Sequence, residues 1–121
     1  MAQRSEKRET PRIQPYVVPC RIHDGDRRLA GYVTDLSPRG ARVTCEGEPP
    51  AVAHVIALEI RFARRQGRAR LTCRVQWNRP LLHPAKGYDF GVTFEGLQRR
   101  EQDLLEAVIK DFHKQAEQLA R

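Results

Sequence analysis

Two short motifs carry the side chains most able to do chemistry: Arg8-Glu-Thr-Pro-Arg12 and Asp35-Leu-Ser-Pro-Arg-Gly40. The first places two guanidinium forks four residues apart. A planar fork grips a phosphate, or the O6/N7 edge of a guanine, through two parallel hydrogen bonds, which lysine cannot do. The second, of the form D-x-S-x-x-G, combines a carboxylate, a hydroxyl and a glycine around a reversal of the chain. A plain anion site has no use for the carboxylate, whereas Asp35 can accept N–H groups from a base. Ser37 can donate or accept, and Gly40 permits a positive-φ turn and close backbone approach. Arg39 lies inside the second motif and can add charge; Lys7 precedes the first and can reach a phosphate. Arg4 and Arg8 form a second, overlapping R-x-x-x-R. Arg8 and Arg12 are the preferred pair because Arg12-Ile13 leads directly into the first strand. Taken singly, each motif has a plainer explanation: a solvated charged tail for the arginines, a self-capped turn for Asp35 and Ser37.

The elements that must hold these residues read as follows. Residues 1–12 are polar, charged and without apolar periodicity, the composition of a flexible arm. Strands are expected at Tyr16–Ile22, Leu29–Leu36, Ala41–Cys45, Val55–Phe62, Leu71–Trp77 and Tyr88–Glu95, each followed by its own turn. The turn at His23–Arg27 contains Gly25, which can adopt φ > 0, and Arg64–Gly67 makes a later reversal. Leu71, Cys73, Val75 and Trp77 alternate with polar residues, so Trp77 is expected in the core. Phe90, Val92 and Phe94 point inward; Asp89, Gly91 and Thr93 point outward. From Leu97 to Leu119 the apolar period becomes helical, with acids towards the start and Lys110, Lys114 and Arg121 towards the end, as the helix dipole favours. The fold class is therefore all-β with a helical tail: a six-stranded antiparallel β-barrel followed by a C-terminal α-helix over about 97–119.

Length and composition set bounds. A chain of 121 residues suggests a single domain. No apolar run is long enough to cross a bilayer, and the charged N-terminus lacks the apolar stretch of a secretory signal, so a cytoplasmic location is expected, without membrane insertion. Cys20, Cys45 and Cys73 are odd in number and far apart, fitting buried free thiols rather than disulfides or a zinc site. His23, His54, His83 and His113 are equally scattered, and no metal site is expected. The formal charge of +7 points to an anionic partner. No nucleophile lies near a His/Asp pair and no phosphate-binding glycine loop occurs, so the chain reads as a non-enzyme without catalytic residues.

Arg8-x-x-x-Arg12, a strand pair, Asp35-x-Ser37-x-x-Gly40 and the late Gly91-Val-Thr-Phe94 strand, in that order, resemble a PilZ domain over roughly residues 7 to 112. The resemblance implies a six-stranded barrel with a C-terminal helix that serves as a receptor for cyclic di-GMP, a bacterial second messenger. It divides the chain into an arm, 1–12, carrying the arginine pair, and a barrel with its helix, 13–121. The implied ligand-binding residues are Arg8, Arg12, Asp35, Ser37 and Gly40, joined by Lys7, Arg39 and Gly91, whose missing side chain leaves room for a base. Cyclic di-GMP is then a ligand rather than a cofactor; no cofactor is expected. Ordering the arm costs roughly 1–2 kcal/mol per residue fixed, so micromolar affinity is expected. Binding would draw the arm onto the barrel and alter the surface offered to a downstream protein. The alternatives are a PilZ-like adaptor that binds proteins and no nucleotide, and a basic barrel for single-stranded nucleic acid. The second is disfavoured because aromatics make up only 7% of the chain and alternate inward. Ala116 and Leu119 at the helix end offer a surface for a homodimer.

Overall fold

A computed structural model describes residues 17–61, 68–83 and 85–119. Six strands form a closed antiparallel barrel: β1 (Val18–Asp24), β2 (Arg27–Leu36), β3 (Gly40–Cys45), β4 (Val55–Arg61), β5 (Arg68–Pro80) and β6 (Tyr88–Phe94), with the helix α1 (Arg99–Leu119) after them. Around the barrel the order is β1-β2-β3-β6-β5-β4, β4 closing back onto β1. Alternating apolar residues build the interior. Ile22, Val33, Val43, Leu58, Leu71 and Phe90 are fully buried, each contributing about 1.5–3 kcal/mol by leaving water. Gly25, at φ 60°, turns β1 into β2 as the sequence anticipates. Arg64–Gly67 and the expected ends Tyr16 and Phe62 lie outside the described residues.

Strand β5 is longer than the Leu71–Trp77 expected: it begins at Arg68 and continues to Pro80, with Asn78, Arg79 and Pro80 paired with β6. Two register shifts matter more. In β2 the pairing with β3 skips Thr34, passing from Val33↔Val43 to Asp35↔Arg42. In β5 the pairing with β6 skips Gln76, passing from Val75↔Val92 to Trp77↔Gly91. A bulge inserts one residue and reverses which face the following side chains take. Asp35, in phase with buried Val33, is therefore exposed, and Leu36 is buried instead. Trp77, in phase with buried Val75, is turned out of the barrel and is 37% exposed. The expectation of a core Trp77 is corrected by this bulge.

The helix begins at Arg99 rather than Leu97. Glu101 reaches back and accepts the backbone N–H of Gln98 at 2.8 Å, the reciprocal half of a capping box. Leu105, Val108 and Phe112 bury the apolar stripe and α1 packs on β5. Lys110 and Lys114 fall short of the final described turn, which has no basic residue. Nε2 of His113 donates to the Leu36 carbonyl at 3.1 Å, tying the helix to the end of β2. Cys20, Cys45 and Cys73 are free and buried. Burial raises all three thiols, Cys20 and Cys73 to about 12, which leaves them protonated and unreactive at neutral pH. No described helix is long and apolar enough to cross a membrane.

Candidate functional site

The reversal between β2 and β3 is organised by Ser37. Its Oγ accepts the backbone N–H groups of Arg39 and Gly40 at 3.3 and 3.4 Å, and its own N–H donates to the Gly40 carbonyl at 2.9 Å. The Arg39 carbonyl accepts the Phe94 N–H at 2.8 Å, seating the turn on β6. Asp35 Oδ1 accepts the Leu36 N–H at 2.9 Å, which orients the carboxylate; Oδ2 has no partner among the described residues.

Gly40 does not use positive φ, contrary to that part of its expected role; the described glycines that do are Gly25, Gly87 and Gly96. Its constraint is contact: a Cβ at this position would run into the carbonyl oxygen of Val92 on the paired strand. Close backbone approach to Val92 is thus what constrains this glycine within the barrel. Gly91 behaves similarly. A Cβ there would strike the indole of Trp77, so the room left by the glycine, expected to be open for a base, is occupied by Trp77.

The two bulges have a joint effect. Asp35 pairs with Arg42, Arg42 with Gly91 and Gly91 with Trp77, so these four residues form one lateral row across β2, β3, β6 and β5 on the outside of the barrel. Asp35, Ser37, Arg39, Gly40, Arg42 and Trp77 line an open depression of about 340 Å³. Its wall is a carboxylate and a hydroxyl at one end, guanidinium groups in the middle and an indole at the other. Arg39 and Arg42 are exposed and make no ion pair among the described residues. By contrast Arg74, close by, spends its fork on Glu95 at 2.7 and 3.1 Å and on the Ala53 carbonyl at 2.9 Å. Arg79 lies over the Trp77 ring at 5.1 Å and within 3.8 Å of Asp89. Asp89 faces outward as expected but is 6% exposed, covered by its neighbours and accepting from Thr44 Oγ1 at 2.6 Å. The indole thus has an anchored cation over its ring.

The structure brings together Asp35, Ser37, Arg39, Gly40 and Gly91 of the expected set. Lys7, Arg8 and Arg12 lie outside the described residues, as does Arg4. The β1–β2 register nevertheless fixes where the arm joins: Val18 is opposite Val33, so the chain enters the barrel at the end of β2 that carries Asp35. Five residues lie between Arg12 and Val18, a chain reach of up to about 20 Å. Sequence reasoning missed Arg42 and misplaced Trp77. Arg42 had a signal: it alternates with buried Val43 and Cys45, which puts it on the outer face beside the D-x-S-x-x-G turn. Trp77 had none, because a bulge is set by the partner strand.

Comparison with known proteins agrees with this architecture. The chain superposes on the PilZ domain with c-di-GMP of YcgR from Escherichia coli, with a TM-score of 0.69, 16% identity, and coverage of 86% of this chain and 87% of that one. It also matches the Bacillus subtilis inhibitor of motility, MotI/DgrA, with a TM-score of 0.63 and 14% identity over 80% of this chain, which spans 47% of that protein. At these identities the likeness is one of fold. No curated protein sequence matches the chain. The family model of the PilZ domain matches residues 3–111, nearly the whole chain, and with the closed six-stranded barrel and its single C-terminal helix this makes the protein a member of the PilZ family.

Proposed function

We propose that this PilZ domain is a receptor for cyclic di-GMP, binding it in the depression on the β2–β3–β6–β5 face. The observation that carries this reading is the row Asp35–Arg42–Gly91–Trp77. It offers an oriented carboxylate for guanine N–H groups, a guanidinium with no ion pair among the described residues for phosphate or the guanine O6/N7 edge, and an exposed indole on which a base can stack. Arg8 and Arg12, with Lys7, close over the ligand from the arm and supply further forks. Ser37 and Gly40 hold the turn; Arg39 adds charge at the rim; Gly91 seats Trp77. The c-di-GMP named with the YcgR domain is the same ligand, and supports the reading by likeness of fold. Closure of the arm then changes the surface offered to a partner protein, which makes the domain a signalling adaptor rather than an enzyme.

Isothermal titration with cyclic di-GMP is expected to give saturable binding at or below tens of micromolar. Arg12→Ala and Asp35→Ala should each weaken it about tenfold or more, since one good bidentate contact is worth about 1–3 kcal/mol and 1.4 kcal/mol is tenfold. No heat from the wild type would remove the receptor reading in favour of a nucleotide-free adaptor. Equal affinity in wild type and both variants would remove the site assignment.

A further inference from the structure

On the opposite side of the barrel the outer face has a different character. In the barrel order, β1 is opposite β6 and β4 is opposite β3, so the β2–β1–β4–β5 surface points away from the nucleotide depression. One lateral row there runs Ala30–Arg21–Glu59–Arg70 across four strands. The next contains Tyr32 opposite Pro19, and Arg61 opposite Arg68. Arg21, Tyr32, Glu59, Arg61 and Arg68 line a concave patch of about 310 Å³, and Tyr32 is 51% exposed.

Folding alone does not account for this arrangement. Like charges directly opposite each other on neighbouring strands are destabilising, yet Arg61 and Arg68 are so paired. Glu59 answers only part of the charge: it accepts from Arg68 Nη1 at 2.8 Å and from His23 Nε2 at 2.9 Å. Arg21, Arg61 and Arg70 make no ion pair among the described residues, and all three are exposed. A local rule broken with only part of the charge answered among the described residues marks a surface shaped by something outside the fold. Arginine and tyrosine around a concavity are the residue types enriched where protein partners dock.

We infer that this face is a docking surface for an acidic protein partner, whose carboxylates pair with Arg21, Arg61 and Arg70 around a donor that meets Glu59. The central carboxylate selects the class of partner. A run of phosphates, whether nucleic acid or lipid headgroups, would set negative charge against Glu59 in the middle of the row, whereas a protein surface can place an amide or ammonium group there. The face shares no residue with the depression around Asp35 and Trp77, so the inference stands whether or not cyclic di-GMP is the ligand.

The test uses the full chain and three labelled probes at low ionic strength, where surface charge is least screened: a twelve-residue peptide alternating glutamate with asparagine, a single-stranded oligonucleotide of twelve nucleotides, and vesicles containing phosphatidylglycerol. The peptide is expected to bind, and Arg21→Glu with Arg61→Glu to weaken it at least tenfold. Arg100→Glu with Lys110→Glu, the same change of net charge on the exposed face of α1, should alter it less than twofold. Glu59→Gln should strengthen oligonucleotide binding. Arg61→Glu puts a carboxylate opposite Arg68, so the variant is expected to fold, which unchanged circular dichroism checks. Its titration with cyclic di-GMP should equal that of the wild type, separating this surface from the nucleotide site. No binding of the peptide, an equal loss in the helix-face control, or preferential loss of oligonucleotide or vesicle binding in the Arg21/Arg61 variant would overturn the inference.

Discussion

Gly40 and Gly91 both exclude a side chain, but against different neighbours, and the difference decides what a methyl group would do. At Gly40 the obstacle is the Val92 backbone carbonyl, part of the β3–β6 ladder, which cannot move without breaking pairing. Gly40→Ala is expected to cost about 1–3 kcal/mol, the range for forced overpacking, read as a lower midpoint in chemical denaturation. At Gly91 the obstacle is the indole of Trp77, a surface side chain that can swing away. Gly91→Ala should therefore change stability little and move the indole instead. Trp77 is the sole tryptophan, so intrinsic emission reports on it directly: Gly91→Ala is expected to shift emission to the red as the ring enters water. An unshifted spectrum would mean that the ring is not seated on Gly91. The residue types were legible as candidate-site chemistry from sequence; their mechanical roles were not, because Gly40 and Gly91 are constrained by atoms on other strands.

Among the elements, α1 depends on its first turn. Glu101 supplies the carboxylate that satisfies Gln98 N–H and stands at the positive end of the helix dipole. Glu101→Ala should cost about 0.5–1 kcal/mol, seen as a lower thermal midpoint with little change in the folded circular dichroism spectrum. The barrel strands and this helix were readable from the period-two and helical apolar patterns because a closed barrel buries one face of every strand. What escaped the pattern was the pair of bulges. Thr34 and Gln76 have nothing in their own identity that marks an extra residue; the skip appears only when β2 is laid against β3 and β5 against β6. Since the two bulges turn Asp35 and Trp77 outward, the half of the candidate site lying in the D-x-S-x-x-G motif was visible in the sequence and the Trp77 half was not. Arg42 lies between: strand alternation places it, but only after β3 is accepted as a strand.

At the scale of the whole molecule, the barrel separates two basic faces around one apolar interior, and the β1–β4–β5 face also carries a pH-sensitive contact. The His23 hydrogen bond, with the hydrogen bond and charge of Arg68, holds the Glu59 carboxyl below its ordinary value of 4.5 although partial burial opposes this. A carboxyl whose folded pKa is depressed binds protons more readily in the unfolded chain. Its contribution is therefore fully present above 4.5 and is lost as the pH falls from there through the lower folded value. Glu59→Gln removes the ionised group while keeping the shape. The thermal midpoint of wild type is expected to exceed that of Glu59→Gln at pH 6, and the gap to narrow steadily below 4.5 as the wild-type carboxyl takes up its proton. Melts from pH 3 to pH 6 on both proteins measure this directly. A constant gap across that range would show that the contact of Glu59 with His23 and Arg68 adds no charge-dependent stability, leaving the other acids of the molecule to account for any acid sensitivity.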